Sequence, residues 1–324
     1  MVAADDRTGA FEVAALFAQV IGPVNVTVGA ASTNSGVVDL GSRAISASEA
    51  AARAGAIDER PSAWVAHKID STLRGNWAVE LRARQRTTGR RAVVLPGWPE
   101  LGRTCVGGVV IVDGAPIGNV LDHVSDADLL ADASQLRAWL DGAGTIAACD
   151  VPNTDAMHAA ANALAGHDVL IAGPAGPLGA VFAAAHPTDS QRGVERVVHP
   201  VVVVCGSANP VSREQVRRLR VAWPEAEIIA TDAPDGDLQP EAVAVLAGRA
   251  RVRIEQLQPR TIVIIGGDTA AALLGDPPRT VDGFAATGMP RSREQGGRGP
   301  LVITKAGGFG APDALVDLVS GENG

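Results

Sequence analysis

Tyrosine is absent from this 324-residue chain, and aromatic residues make up only 3% of it. That removes the usual stacking platforms for single-stranded nucleic acid. Cysteine is nearly as scarce. Cys105, Cys149 and Cys205 are far apart and odd in number, which excludes a disulfide framework and suggests reduced thiols in a cytoplasmic protein. The six histidines show no ligand-like spacing with them, so a structural zinc site is not expected. No apolar run approaches the length of a membrane span, and no basic-then-apolar signal opens the chain. Basic charge is in deficit, with a net charge of -8, which argues against nucleic acid as the partner while leaving room for a local cationic pocket. Two nucleotide signatures are also missing. There is no Gly-x-x-x-x-Gly-Lys-Ser/Thr, so this is no P-loop protein, and no well-placed Gly-x-Gly-x-x-Gly, which counts against a dinucleotide dehydrogenase.

What remains is a chain that is 46% hydrophobic and 20% charged, large enough for two domains and a sizeable core. Its most informative stretch is Lys68-Ile69-Asp70-Ser71-Thr72-Leu73-Arg74-Gly75-Asn76. Ala63 to Ala66 ahead of it reads as a buried strand, Trp77 to Arg84 behind it as a helix, and Ala92 to Leu95 as the next strand. This is a βαβ unit, and its polar turn belongs at the carboxyl edge of a sheet, where ligands bind. Ser71 is placed to cap the helix, whose free N–H groups would face an anion. Lys68 and Arg74 add positive charge there, and Asp70 can accept from a hydroxyl.

Other turns point to the same edge. Asp5 and Asp6 lie in a turn before the helix Phe11 to Val20, and the strand that should precede them is nearly missing: either the chain starts late or the strand is very short. Ser42-Arg43 follows the strand around Val37-Val38-Asp39, ahead of a helix that Ser46 and Glu49 open as a capping box. Arg103-Thr104 belongs to a rigid loop punctuated by Pro96, Gly97, Pro99 and Gly102. Val109 to Pro116 reads as a hairpin arm and turn, and Ser125 to Leu130 as a helix start with acids in its first turn. Thr145 to Asp150 and Val169 to Ala172 are further strands, and Gly173 to Gly179 turns into an alanine-rich helix. Alternating strands and helices mean an α/β fold with a mostly parallel sheet.

The polar stretch His186 to His199 divides the chain into a first domain, 1–190, and a second, 191–324, each expected to be α/β with a mostly parallel sheet flanked by helices. In the second, strands at Val201–Val204, Thr261–Ile265 and Leu301–Lys305 lead into the glycine-rich turns Gly206-Ser207, Gly266-Gly267-Asp268-Thr269 and Ala306-Gly307-Gly308-Phe309-Gly310. Glycine lets backbone N–H groups approach a phosphate closely, so three such turns suggest a nucleotide. Cys205 at a helix start could serve as a nucleophile, but the apolar strand before it favours a buried thiol.

Taken together, these motifs resemble the four-carbon acid sugar kinases, once catalogued as a domain of unknown function. The resemblance runs from Ala4 to Gly310 and is most specific over Lys68–Asn76. Asp5-Asp6-Arg7-Thr8-Gly9-Ala10, Ser42-Arg43 and Gly102-Arg103-Thr104 match as well, with Arg7 where an apolar residue is usual. Gly206-Ser207, Gly266 to Thr269 and Lys305 to Gly310 match the nucleotide turns, with Asp268 for the commoner Glu and with Ala306 and Gly308 for Ser and Asn. The resemblance implies a sugar-acid-binding first domain and an ATP-binding second domain. It implies phosphorylation of the terminal hydroxyl of erythronate, threonate or an oxo relative.

On this reading Arg43, Lys68, Arg74 and Arg103 face the substrate carboxylate, with Ser42, Ser71 and Thr104 beside them. Asp5, Asp6 and Asp70 accept from its hydroxyls, and Asp70, before Asp6, takes the acceptor proton. Ser207, Gly266, Gly267, Asp268, Thr269 and Gly307 cradle ATP, with Mg²⁺ bridging its phosphates. The partners are then a small sugar acid and ATP, with neither nucleic acid nor membrane and with homo-oligomerisation left open. The rival is a non-catalytic sensor of a sugar acid or nucleotide.

Overall fold

The computed structural model describes residues 1–29, 36–57, 64–187, 197–231 and 239–321. In chain order the first half runs β1 (Val2–Ala4), α1 (Arg7–Ile21), β2 (Val24–Val28), β3 (Val37–Asp39), α2 (Ala47–Gly55), β4 (Val65–Lys68), α3 (Trp77–Thr88) and β5 (Arg91–Val94). It continues through β6 (Arg103–Val106), β7 (Val109–Val112), β8 (Ala115–Asn119), β9 (Asp128–Leu130), α4 (Ala133–Asp141), β10 (Ile146–Cys149), α5 (Thr154–Leu164), β11 (Val169–Gly173) and α6 (Ala175–Ala185). The second half runs β12 (Val201–Cys205), α7 (Pro210–Ala222), β13 (Glu227–Ala230), α8 (Pro240–Leu257), β14 (Thr261–Ile265) and α9 (Gly267–Leu274). It closes with β15 (Arg279–Ala286), β16 (Met289–Glu294), β17 (Leu301–Lys305) and α10 (Ala314–Ser320).

Fourteen of these strands form one sheet in the order β13-β12-β14-β17-β16-β15-β2-β3-β1-β4-β11-β5-β10-β9, and β6 to β8 form a small antiparallel sheet of their own. The α/β expectation holds. The block from β2 to β9 is parallel throughout, and so is the block from β13 to β17. Their central strands, such as β4, β10, β11 and β14, are buried along their whole length, as parallel strands covered on both faces by helices must be.

The antiparallel hairpin β15–β16 joins the blocks, pairing Arg279 with Val26 on one side and Arg291 with Ile303 on the other. It reverses strand direction, so in a flat sheet the two carboxyl edges would point opposite ways. Each step of a twisted sheet turns the strands by about 20–25°, and the six steps from β1 to β14 accumulate roughly 120–150°. Reversal and twist together bring the two carboxyl edges back toward each other. The domain boundary expected at 190/191 lies outside the described residues.

Helix α1 shows why the site ends up between the blocks. Asp6 caps it by accepting from the Gly9 N–H, and Gly22 ends it at φ 89°. Phe11, Val13, Ala14, Phe17 and Ala18 are all buried, so the helix is apolar nearly all round. Such a helix is stable only with partners on every side. It packs on the sheet, on α6 and on α9, and is thus held by both halves. Phe17 stacks on Phe182 of α6 with centroids 3.9 Å apart.

Some local expectations need correcting. Helix α3 begins at Trp77 with Asn76 as its N-cap residue and no side-chain cap, so Ser71 caps nothing. Instead Asp70 accepts from the Thr72 N–H, which folds residues 70–74 into a turn of their own, with Leu73 at φ 61°. Asp128 to Leu130 is an edge strand, not a helix start. The acids there hold neighbours: Asp126 pairs with Arg82, and Asp128 accepts from Trp139 Nε1 at 2.8 Å. Arg103 and Thr104 lie in β6, not in a loop. Gly267, Asp268 and Thr269 are the first turn of α9, so only Gly266 is a turn residue before the helix.

Candidate active site

Strands β3, β1 and β4 are neighbours in register, with Ala4 opposite both Asp39 and Lys68. The polar segments that follow them therefore leave the sheet side by side. Ser42 and Arg43 donate their backbone N–H groups to the Asp5 carbonyl at 3.0 and 3.3 Å. Asn76 ties the third segment in, donating to the carbonyls of Ser42 and Ile45 at 2.8 Å each.

The side chains then interlock. Arg43 donates from Nε to Asp5 Oδ2 at 2.8 Å and from Nη2 to Asp6 Oδ1 at 2.9 Å, and lies 3.5 Å from Asp70 Oδ1. Lys68 Nζ is 3.5 Å from Asp6 Oδ1 and 3.7 Å from Asp5 Oδ1. Arg74 grips Asp70 with two prongs, Nε to Oδ2 at 3.0 Å and Nη2 to Oδ1 at 2.9 Å, and the Thr72 hydroxyl also donates to Oδ2. Thr8 donates to Asp6 Oδ2 at 2.6 Å. A side chain at Gly9 would collide with Lys68 Nζ, so glycine is what lets the lysine cross the start of α1.

These neighbours set the protonation states. Burial opposes the charge of Asp6, but Arg43, Lys68 and the Thr8 hydroxyl bring its carboxyl down to about 2. Burial also opposes the charge of Asp70, yet Arg74, Arg43 and Lys68 hold it well below the ordinary carboxylate range. Asp5 is fully buried, and there desolvation wins over Lys68 and Arg43 and raises its carboxyl. For Lys68, burial works against the ammonium, and Asp6 and Asp5 more than restore it.

The second cluster is built of backbone. β12, β14 and β17 are adjacent, so their turns also emerge together. A side chain at Gly206 would strike Thr269 Oγ1, and one at Gly307 would strike Ser207 Oγ. Gly266 sits at φ 107°, a conformation only glycine adopts readily, with Ser207 N 3.6 Å from where its Cβ would be. Asp268 is exposed in the first turn of α9.

Two residues that the sequence reading passed over, Ser212 and Gln215, hold the last turn together with Lys305. Ser212 donates to the Gly307 carbonyl at 2.5 Å. Gln215 Nε2 donates to the carbonyls of Phe309, Gly310 and Ala311 at 2.8–3.1 Å. Lys305 Nζ donates to those of Ala306 and Gly307 at 3.0 and 3.4 Å, and burial lowers its pKa to about 8.

The two clusters touch. A Cβ on Gly267 would stand 3.0 Å from Asp6 Oδ2 and 3.3 Å from Thr8 Oγ1. Arg103, whose Nε is buried without a hydrogen-bond partner, lies over the Phe309 ring at 4.8 Å. Arg7 bridges α1 to both halves, donating to Asp39 Oδ2 at 2.6 Å and to the Gly275 carbonyl at 2.8 Å. Thus Asp5, Asp6, Arg43, Lys68, Asp70 and Arg74 are brought together, with Ser42 buried among their segments. Thr104 is half-buried on β6 opposite Ile111, and Ser71 is half-buried in the turn after Asp70.

A further acid also belongs to the front cluster. Glu12 follows Thr8 by four residues and Gly9 by three, so it shares their face of α1. That spacing is the signal in the sequence that would have found it. The fields of Lys68, Asp6, Arg103 and Arg43 all reach its carboxyl, which burial pushes up to about 7.

Among the described residues no three His, Cys, Asp or Glu gather as a metal site, and no helix is long and apolar enough to cross a membrane. Cys105, Cys149 and Cys205 are free and buried, and burial raises all three thiols, that of Cys149 to about 12. This removes Cys205 as a nucleophile.

Comparison with known proteins adds an independent line. Residues 1–128 match the family model of a sugar-binding N-terminal domain. A D-threonate kinase of Cupriavidus necator is 35% identical over 167 residues, a match that covers 46% of this chain and 40% of that protein. Another D-threonate kinase, from Bordetella bronchiseptica, is 27% identical over an alignment covering 97% of this chain and 95% of its own length. A crystal structure from Salmonella typhimurium LT2 shares the fold with a TM-score of 0.78, at 18% identity and with 97% of each chain covered.

Proposed function

The sugar-binding family model and the two threonate-kinase relatives support the four-carbon acid sugar kinase family for this chain, and from that premise we propose that it is an ATP-dependent kinase. It phosphorylates the terminal hydroxyl of a four-carbon sugar acid of the erythronate, threonate or oxo-tetronate type. The observation that carries this reading is the contact of Gly267 with Asp6 and Thr8, where a phosphate cradle meets an acid–base cluster.

The front segment, 1–190, binds the sugar acid. The substrate carboxylate needs a cation that reaches the surface. Lys68 and Arg43 are held inside on Asp5 and Asp6, whereas Arg74, though paired with Asp70, keeps a 62%-exposed side chain, and Arg103 Nε has no hydrogen-bond partner among the described residues. Arg74 and Arg103 therefore take the carboxylate, with Ser42, Ser71 and Thr104 as hydroxyl partners. Asp5, Asp6 and Asp70, fixed by their cations, set the field into which the acceptor hydroxyls fit. Asp6 and Asp70 orient the hydroxyl that attacks.

The rear segment, 191–324, binds ATP through Ser207, Gly266, Gly267, Asp268, Thr269 and Gly307. The donor set fits a triphosphate, because close packing of Gly206 on Thr269 Oγ1 and of Gly307 on Ser207 Oγ brings two hydroxyls against the backbone of these turns. Mg²⁺ would neutralise the phosphates, with Asp268 as the exposed carboxylate available to it. Transfer of a phosphoryl group is mostly positioning and charge neutralisation, which the preset ion pairs of the front cluster provide without reorganising. The three buried thiols suit a cytoplasmic enzyme.

A coupled ADP-release assay over a panel of C4 acids tests the proposal, with light scattering to give the oligomeric state. Turnover with at least one acid, dependent on ATP and Mg²⁺, is expected. Tight ATP binding with no turnover on any acid would contradict it and favour a sensor.

A further inference from the structure

The proposed transfer needs somewhere for the acceptor proton to go, and Asp6 and Asp70 are poor choices. Both oxygens of Asp70 are occupied, Oδ2 by Arg74 and Thr72 and Oδ1 by Arg74 and Arg43. Both oxygens of Asp6 are occupied as well, Oδ1 by Arg43 and Gly9 and Oδ2 by Thr8. A carboxylate so well solvated by cations and donors is a weak base. Asp5 Oδ1 accepts no hydrogen bond, but it is buried and faces Lys68 Nζ at 3.7 Å.

Glu12 differs on each count. It has no hydrogen-bond or ion-pair partner among the described residues, its oxygens are not sealed as Asp5 Oδ1 is, and the residue keeps 8% of its surface. It sits one turn into α1 from Thr8 and Gly9, the two residues that contact Asp6, Gly267 and Lys68. We propose that Glu12 is the general base of the reaction, the group that takes the proton from the sugar-acid hydroxyl. The proton passes to a Glu12 carboxylate oxygen as the hydroxyl oxygen's electron pair forms the new bond to the γ-phosphorus. The bond from that phosphorus to the β–γ bridging oxygen breaks, and its electron pair leaves with the nucleoside diphosphate. The inference rests on the kinase reading.

The charges facing Glu12 are Lys68 at the end of β4, Arg43 after β3, Arg103 on β6 and Asp6 at the helix start. α6 brings no charged residue between Ala175 and Ala185. On β15 and β16, Arg279 is engaged with Ser292 and Arg291 with Asp282. On α9, Asp268 is exposed. Burial against this partly cancelling field leaves the carboxyl near about 7, where a general base is most effective at neutral pH.

The test is the pH profile of kcat/KM for the C4 acid that turns over, measured on the wild type, Glu12→Gln and Glu12→Asp, with calorimetric binding of the same acid. In the wild type, kcat/KM should rise with pH through a midpoint near about 7. Glu12→Gln should lower kcat by roughly 10²–10⁴-fold and abolish that limb, while acid binding changes only a few-fold. Glu12→Asp, which keeps a carboxylate, should recover part of the rate together with a limb. A Glu12→Gln enzyme that keeps the limb and a near-normal rate overturns the inference and leaves the kinase reading standing. So does a Glu12→Asp enzyme that folds but recovers neither rate nor limb. A wild type that neither binds nor phosphorylates any acid fails the kinase reading, and the inference falls with it.

Discussion

The front and rear clusters are built by opposite means. In the front, side chains carry the charge, and every cation of the core cluster is answered by an acid: Arg43 by Asp5 and Asp6, Lys68 by the same pair, Arg74 by Asp70. In the rear, the cluster is backbone, and side chains such as Ser212, Gln215 and Lys305 hydrogen-bond that backbone in place. The contrast suits the two ligands proposed. A sugar acid offers several small groups that must be told apart, which calls for directional side chains. A triphosphate offers many equivalent oxygens, which suits a surface of N–H groups without Cβ atoms in the way.

Breaking the front half should have the largest effect. Asp70→Asn removes the anchor of Arg74 and one partner of Arg43, and kcat should fall about 10²–10³-fold with the fold intact, as measured by ADP release and thermal melting.

A second variant separates function from stability. The Glu12 carboxyl stands near about 7 in the folded protein against an ordinary 4.5, so the folded state favours its protonated form. The resulting penalty is absent below the unfolded value and complete above the folded one, and the gap corresponds to about 3 kcal/mol. Glu12→Gln should therefore be more stable than the wild type in urea unfolding above pH 7, with the advantage gone below pH 4.5. A residue that costs stability at neutral pH is one kept for another reason.

The smallest effect is expected in the rear. Gly307→Ala places a methyl group on Ser207 Oγ, a side chain that can rotate away. It should weaken ATP binding by roughly tenfold, about 1.4 kcal/mol, and leave sugar-acid binding unchanged by calorimetry. A variant that shifted both ligands equally would blur the division of labour between the halves.

The strand ends were the legible part of this chain. The strands read as ending at Ala66, Val204 and Lys305 stop abruptly at polar or glycine-rich turns, and each turn lies at a carboxyl edge. Local competition hid the rest. Ser71 has a capping side chain, but Asp70 takes the turn for itself and the helix starts six residues later, at Trp77. Ser125-Asp126-Ala127-Asp128 carries helix-start chemistry, yet a three-residue edge strand forms because β10 is there to pair with it. The joining hairpin was concealed because Arg279 and Arg291, both buried, interrupt the apolar pattern and find their partners, Ser292 and Asp282, across the strand pair. Facing edges of the two blocks depend on that hairpin and on accumulated twist, which no local pattern encodes.

The most direct test of the account is a crystal structure holding a non-hydrolysable ATP analogue together with a C4 sugar acid. The account predicts the γ-phosphorus about 3–3.5 Å from the terminal hydroxyl oxygen, in the space between Gly267 and Asp6. Two ligands bound in separate sites, with protein standing between phosphorus and hydroxyl, would contradict it.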